Sequence, residues 1–194
     1  MRVIGITGGV GCGKSRILQY LSEAYRAVVC QLDETAKKLQ QKGQPCYDKI
    51  VEVFGGEIVG ADSELDRPKL AGIVFADRER LAVLNGIVHP AVKERTLQDI
   101  ERERERGTAL FVIESAILPD AGYEDICGEM WYIYTQEDVR RERLKDTRGY
   151  SDRQISQMMA SQPAESRFRE TCSAVIDNSG SFENTKRQIG ELLR

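Results

Sequence analysis

Residues 8–15 form a glycine-rich turn that ends in a lysine and a hydroxyl residue, Gly-Gly-Val-Gly-Cys-Gly-Lys-Ser. This is the complete spacing of a phosphate-binding loop, and it directly follows a short apolar run. Glycines let backbone N–H groups turn inward around a phosphate, and a helix beginning near Lys14 adds its positive dipole end. Lys14 can reach the β- and γ-phosphates, and the Ser15 hydroxyl can ligate Mg²⁺. The turn therefore predicts a site for a nucleoside triphosphate and its metal ion.

Two carboxylates follow apolar runs further along the chain. Asp33 lies just past the run at 27–32, and ligands of open α/β sheets bind beyond the carboxyl ends of the strands. Asp33 could accept a proton from an acceptor hydroxyl or hold Mg²⁺ through water, or it could cap a helix over residues 34–42. Glu114 is a candidate for orienting the metal or its water. Asp120 is either a second such acid or a turn residue after a proline.

An arginine-rich stretch, residues 137–169, is the third feature that could take part in the chemistry. Phosphoryl transfer spreads negative charge over the oxygens of the migrating group, and cations placed above it stabilise that charge. We predict that this lid segment covers the phosphate site, although charged helices after a strand are also typical of solvent-facing surfaces. The alternating charges at 101–106 predict only a solvated helix end, closed by Gly107.

Five short β-rich runs are expected to position these residues. They lack strict alternation and are separated by helical patterns, which predicts an α/β fold with a parallel sheet covered on both faces. The first helix is predicted over about 14–25, with Ile17, Leu18 and Leu21 on one face. The last is predicted over about 182–193. The β-rich runs are 2–7, 27–32, 109–113, 130–135 and 174–177.

The length of 194 residues predicts a single domain with an insertion between the second and third strands. Helical patterns within this insertion include one that begins near Pro68, and the dipeptide His89-Pro90 is expected to break another. His89 could contact a ligand at that break or be a buried, satisfied side chain. The predicted parts are a core of residues 1–33, 107–136 and 170–194, a helical substrate-binding insertion of residues 34–106 with helical stretches at 33–42, 45–54, 67–75 and 78–105, and the lid segment.

The composition limits which partners the protein is expected to bind and in which cellular compartment it is expected to work. The formal net charge is −3, so no general affinity for nucleic acid or membranes is expected, and no apolar stretch is long enough to span a bilayer. The first predicted strand leaves no room for a signal peptide before it. Five scattered cysteines and a single histidine disfavour a zinc site and suggest a reducing, cytoplasmic location. Cys12 lies near a helix N-terminus that would favour its thiolate, but we interpret it as a passive small residue.

Taken together, these residues resemble the dephospho-CoA kinases within the P-loop kinase superfamily, over nearly the whole chain. The resemblance implies a five-stranded P-loop kinase core that transfers the γ-phosphate of ATP to the ribose 3′-hydroxyl of dephospho-CoA, the last step of coenzyme A biosynthesis, with Mg²⁺. The arginine and His-Pro blocks are its most specific part. The matching stretches are IGITGGVGCGKS, Asp33, LDRPKLAGIVFAD, LNGIVHPAV, AILPD, Gln162 and VIDNSGS.

The resemblance also implies roles for individual residues. Asp33 would be the catalytic base, assisted by Lys14 and by Arg143 in the lid segment, with Arg140 or Arg148 as further candidates. Ser15 would bind the metal. Contacts to ATP are expected from Gly9, Val10, Gly11, Cys12, Gly13, Lys14, Ser15, Arg16 and, on the adenine side, Asn178 with the loop after the last strand. Contacts to dephospho-CoA are expected from Asp33, Arg67, His89, Ile117 and Leu118.

This chain departs from the family pattern at several of these positions. Glu114 stands where the family usually has Asp, Arg140 where it usually has Gln, and Thr147-Arg148 where it usually has Arg-Asp. A kinase for another small acceptor, such as a nucleoside monophosphate, is the alternative function. A nucleotide-dependent switch is a further alternative, but no guanine-reading N/T-K-x-D follows a predicted strand. We expect a monomer or a weak homo-oligomer, with no nucleic-acid or membrane partner.

Overall fold

The structure, a computed structural model, describes the backbone of residues 1–194 and every side chain except that of Asp120. Its centre is a five-stranded parallel sheet in the order β2-β3-β1-β4-β5. The predicted α/β fold is confirmed, and each strand lies within one or two residues of its predicted position. The strands are β1 (Arg2–Thr7), β2 (Val28–Gln31), β3 (Leu110–Glu114), β4 (Glu129–Tyr134) and β5 (Ala174–Asp177).

Strand β1 is the middle strand of the sheet, and its register with β3 and β4 places the carboxyl ends of the three strands side by side. Ile6 is opposite Glu114 on β3 and Trp131 on β4. Ile4, Ile6 and Trp131 are fully buried. Because both faces are covered, the strands are continuously apolar rather than alternating. The buried register fixes the carboxyl ends of β1, β3 and β4 at one edge of the sheet.

Helices occupy most of the chain between the strands. Helix α1 buries Ile17, Leu18 and Leu21, as its apolar spacing predicts. The lid segment contains three helices of its own. The helices are α1 (Lys14–Tyr25), α2 (Leu32–Leu39), α3 (Tyr47–Phe54), α4 (Arg67–Ala76), α5 (Arg78–Glu105), α6 (Glu137–Arg148), α7 (Asp152–Ala160), α8 (Glu165–Thr171) and α9 (Phe182–Leu192).

Helix α4 begins where the proline predicted a helix start. Asp66 is its N-cap, and the Asp66 carboxylate accepts a hydrogen bond of 3.0 Å from the backbone N–H of Lys69. Pro68 lies in the first turn, where a missing N–H costs little because that donor has no partner within the helix. Local sequence therefore determines this boundary.

The predicted helix break at His89-Pro90 is wrong, because α5 continues through it. A proline removes only the one hydrogen bond that its N–H would donate to the carbonyl four residues earlier. Val88, Val92 and Ile100 are buried on both sides of the proline, at the spacing of one helix face. Packing of this face maintains the helix across the lost bond, and His89 lies exposed on its surface.

The predicted alternative role of Asp33 as a helix N-cap is also wrong. The N-cap of α2 is Gln31, so the helix begins at Leu32 and Asp33 lies within its first turn. The Asp33 side chain is exposed there. A carboxylate in the first turn is favoured by the helix dipole without capping it.

The charged end of α5 is solvated and closed by Gly107, as predicted. Gly107 has a φ of 77°, and its N–H donates to the Arg104 carbonyl at 3.1 Å. The N–H of Thr108 donates to the Glu103 carbonyl at 3.0 Å. These two bonds are those of a Schellman motif, which requires the left-handed conformation that glycine adopts without strain.

The chain divides into two compact units. Unit 1 contains residues 1–30 and 103–194, and unit 2 contains residues 31–102. Among the described residues, no helix has the length and apolar character needed to cross a bilayer. All of the phosphate-binding turn lies in unit 1, whereas Asp33, Arg67 and His89 lie in unit 2.

Alanine substitutions at two glycines of α5 and its C-terminal cap should change the free energy of unfolding in opposite directions. Gly107→Ala forces a side chain into a positive φ and should lower the free energy of unfolding by about 1 kcal/mol. Gly86→Ala lies inside α5, where an added Cβ meets no atom within 4 Å, and should raise that free energy by about 0.5–1 kcal/mol. Urea unfolding of both variants measures the difference. Equal effects of the two substitutions would contradict the assignment of Gly107 to the helix cap.

Candidate functional site

The predicted phosphate-binding turn connects β1 to α1, and its glycines are required by both conformation and space. Gly11 has a φ of 77° and Gly13 a φ of 87°. A Cβ on Gly11 would lie 2.9 Å from the backbone carbonyl of Arg140, and one on Gly13 would collide with the Asn178 amide. Larger residues at these two positions would therefore strain the backbone and also displace α6 or the residues after β5.

Hydrogen bonds from buried side chains to the Cys12 carbonyl fix the conformation of the turn. This carbonyl accepts hydrogen bonds from Asn178 Nδ2 at 2.8 Å and from Thr135 Oγ1 at 3.1 Å. Asn178 Oδ1 in turn accepts a bond of 2.9 Å from Thr185 Oγ1 on α9. All of these side chains are buried, so the anchor is shielded from competing water.

The Cys12 side chain is part of the hydrophobic core. This confirms its interpretation as a small apolar residue. The other described cysteines are also free thiols, and Cys127 and Cys172 are held in their neutral form. Burial raises the pKa of the Cys127 thiol to about 12 and that of Cys172 to about 11.

A second anchor, at Val10, was not predicted. Arg140 Nε donates to the Val10 carbonyl at 2.8 Å, and Gln162 Oε1 accepts a bond of 3.0 Å from the Val10 N–H. Arg140 Nη2 donates to the same Gln162 oxygen at 3.1 Å. Gln162 belongs to the matching family stretches, but no local pattern indicates a partner 152 residues away.

Lys14 and Glu114 form the charged centre of the site. The Lys14 ammonium donates to the Gly8 carbonyl at 2.7 Å and lies 3.7 Å from Glu114 Oε1. Glu114 is 8% exposed, so this carboxylate interacts with the ammonium in a partly desolvated setting. Ser15 is exposed in the first turn of α1. The structure thus brings together the lysine, hydroxyl and acid that the sequence predicted.

A cavity of about 570 Å³ opens over the turn within unit 1. It is large enough for a nucleotide-sized ligand. Arg143 and Arg148 are among the described residues around it, and Arg140 is not. The lining residues are Gly9, Val10, Gly11, Cys12, Gly13, Lys14, Ser15, Arg16, Glu114, Arg143, Leu144, Thr147, Arg148, Tyr150 and Met158.

Arg143 has a donor directed toward the turn. Its Nη2 donates to the Asn178 carbonyl at 2.9 Å. Its Nη1 lies near Gly13 and is buried without a hydrogen-bond partner among the described residues. A buried unpaired donor is costly and rare in proteins, and a charged one more so. A phosphate oxygen in the cavity would satisfy this donor, so the residues present fit an anionic ligand.

The substrate-side residues of unit 2 lie on separate helices. Arg67, the first residue of α4, donates from Nη2 to the Lys37 carbonyl at 3.0 Å, next to the C-terminal end of α2. Asp33 lies on α2 and His89 on α5, and both are exposed. The exposed position of His89 is incompatible with the alternative that it is a buried, satisfied side chain.

One predicted contact requires correction. The Leu118 side chain is fully buried, and its Cδ2 fills the space in which a Cβ on Gly5 would lie. It is therefore a core residue, whereas its neighbour Ile117 is 47% exposed. Both groups of the Asn178 amide bond inside the protein, so the expected adenine-side contact of this loop, which stays a prediction, is one for its backbone groups. The Asp120 side chain lies outside the described residues.

Comparison with known proteins relates this site to an enzyme family. The dephospho-CoA kinase family model matches residues 2–184. The dephospho-CoA kinase of Carboxydothermus hydrogenoformans is 35% identical over 99% of this chain and 93% of its own length. That of Bacillus anthracis is 34% identical over 99% of this chain and 96% of its own length.

Solved structures agree on the fold. A protein from Thermus thermophilus superposes with a TM-score of 0.84 at 28% identity, covering 99% of this chain and 96% of its own. The dephospho-CoA kinase from Campylobacter jejuni has a TM-score of 0.71 at 21% identity, covering 100% of this chain and 96% of its own. Shikimate kinase from Acinetobacter baumannii shares the fold with a TM-score of 0.54 at 14% identity, covering 100% and 93%.

The family model matches nearly the whole chain, the two relatives match over nearly their full length, and the chain belongs to the dephospho-CoA kinase family.

Proposed function

We propose that this ATP-dependent kinase performs its transfer to dephospho-CoA with the γ-phosphate between Lys14 and Arg143. The unpaired buried Nη1 of Arg143, close to Gly13, is the single observation that carries this assignment. The transition state gains negative charge on the equatorial phosphate oxygens, and fixed cations stabilise it without reorganising. Arg148 also lines the cavity. It supplies a further cation, which replaces the arginine that the family usually has at the position of Thr147.

Ser15 and Glu114 would hold Mg²⁺ together with phosphate oxygens of ATP. A hydroxyl and one carboxylate are a small donor set. That pattern suits Mg²⁺, which keeps several waters and takes part of its shell from substrate phosphates. When bound, the ion neutralises charge on the phosphates.

Asp33 acts as the general base in this proposal. It comes two residues after β2 ends, at the carboxyl end of a strand in the same parallel sheet as β1. Ligands of such sheets bind at this edge. Its carboxylate accepts the proton of the ribose 3′-hydroxyl as the oxygen attacks phosphorus, and ADP leaves.

Residues 34–106 bind dephospho-CoA, with Arg67 and His89 as contacts and Ile117 as an exposed apolar contact from unit 1. Residues 137–169 cover the phosphates and exclude water, which would otherwise hydrolyse ATP. Arg16 and the backbone after β5 lie on the adenine side. The Arg16 guanidinium lies 4.0 Å from the centre of the Phe182 ring.

The protein works in the cytoplasm as a monomer or a weak homo-oligomer in this proposal. Free cysteines across the described chain support a reducing compartment. Size-exclusion chromatography with light scattering, repeated over a range of concentrations, reports the oligomeric state.

An acceptor panel tests the activity directly. ADP release from ATP·Mg²⁺ should be rapid with dephospho-CoA and absent above background with AMP, CMP or shikimate. Mass spectrometry should place the new phosphate on the ribose 3′-oxygen of the product. Preferred transfer to a nucleoside monophosphate would support the alternative kinase instead.

Asp33→Asn should lower kcat by about 100-fold or more, because the amide cannot accept the hydroxyl proton. Equilibrium ATP binding should be unchanged. Glu34→Gln is the matched control, since Glu34 is the adjacent exposed acid and pairs with Lys37 at 2.7 Å. Turnover of the Asp33 variant equal to that of the control would exclude Asp33 as the base.

Arg143→Met should lower kcat for transfer by about 100-fold, because it removes a cation used in the transition state. The KM for dephospho-CoA should stay within about twofold of wild type. Arg153→Met, an exposed arginine on α7, is the control and should retain full turnover. A rise in the KM for ATP with normal kcat would show that Arg143 binds the ground state and the transition state equally and does not act selectively on the chemical step.

A further inference from the structure

We infer that Arg140 and Gln162 are positioning residues that clamp the Val10 peptide of the phosphate-binding turn and so couple its shape to the lid segment. Neither side chain needs to contact ATP for this role. The inference rests on the proposed function only in that the turn binds the phosphates of ATP.

The clamp is a closed triangle of hydrogen bonds. The Val10 peptide offers one donor and one acceptor, and both are used, by Gln162 Oε1 at 3.0 Å and by Arg140 Nε at 2.8 Å. The Arg140–Gln162 bond of 3.1 Å closes the triangle. Two of these bonds come from a guanidinium, and bonds to charged groups are stronger than neutral ones.

The neighbours of Val10 make an external clamp necessary. Val10 lies between Gly9 and Gly11, and glycines provide little local restraint on the intervening peptide. The clamp also explains Gly9 itself, because a Cβ there would lie 2.8 Å from the Arg140 guanidinium carbon and 2.9 Å from Gln162 Oε1. Gly9 thus leaves the space that the two side chains occupy.

The two clamping residues come from different parts of the lid segment. Arg140 lies on α6, and Gln162 lies between α7 and α8, just after Ala160. Movement of α6, or of the connection between α7 and α8, relative to the turn would break at least one bond to Val10. The turn is then held at Val10 by the lid segment and at Cys12 by buried side chains of the core.

The functional consequence is preorganisation. With Val10 and Cys12 both fixed, the N–H groups that follow are oriented before ATP arrives, and binding need not restrain them. Loss of the clamp should therefore weaken ATP binding and leave the dephospho-CoA side unaffected. A purely structural contact would instead alter stability or both substrates together.

A double-mutant cycle tests the clamp. Gln162→Met keeps the length of the side chain but removes the acceptor, and Arg140→Met removes the donors. Each should raise the Kd of ATP, measured by calorimetry, and the KM for ATP by about tenfold, the equivalent of a net hydrogen bond to a charged group. The double variant should be little worse than either single one, because one triangle is lost in all three.

Controls separate this role from general damage. Arg141→Met and Gln157→Met change the same residue types on α6 and α7 outside the clamp, and both should bind ATP normally. Gln162→Glu keeps the acceptor and pairs its charge with Arg140, so it should recover most of the affinity. The KM for dephospho-CoA should remain within about twofold of wild type in every variant.

The results that would overturn the clamp are specific. Additive losses in the double variant, or equal losses in the controls, would show that the two side chains do not act through Val10. If a methionine variant fails to fold, Arg140→Lys keeps the charge without bridging both partners, and unaltered ATP binding in that variant would also overturn it. Because ATP binding is measured without an acceptor, failure of the proposed phosphoryl transfer leaves this test intact.

Discussion

The candidate site depends on how the carbonyl groups of the phosphate-binding turn are satisfied. A turn that directs N–H groups at a phosphate directs carbonyls away from it, and buried carbonyls need partners. Every second carbonyl of the turn accepts a hydrogen bond from a charged or buried side chain. The Gly8 carbonyl accepts from Lys14, the Val10 carbonyl from Arg140, and the Cys12 carbonyl from Thr135 and Asn178. Each partner lies beyond the turn itself or at its helical end. The shape of the binding surface is therefore set by the residues behind it.

The parallel sheet explains why those partners are available. Thr135 directly follows β4, Asn178 directly follows β5, and Glu114 ends β3, so all three lie at the edge of the sheet from which the turn leaves β1. The hydrogen bonds also link Asn178 to Arg143 through the Asn178 carbonyl. Asn178 consequently supports both the turn and an arginine of the lid segment.

The three candidate arginines of the lid segment, Arg140, Arg143 and Arg148, have different surroundings. Arg140 is committed to the turn through Val10 and Gln162. Arg143 divides its guanidinium between the Asn178 carbonyl and the region beside Gly13. Arg148 lines the cavity and is exposed. Because a guanidinium offers five donors in a fixed plane, one residue type can brace a loop, bridge to a ligand or provide a mobile charge. The position of each arginine relative to the sheet decides which of these roles it takes.

The amino-acid sequence alone determined the strands, the turn, the start of α4 and the cap at Gly107, because apolar spacing, proline and glycine act over a few residues. It also indicated the family. Only the tertiary structure decided that α5 passes through Pro90, that Leu118 is buried while Ile117 is exposed, and that Gln162 bonds to Val10. These outcomes depend on packing and on partners more than a hundred residues away or across a helix face. No local pattern encodes such contacts, since they exist only once the sheet has assembled.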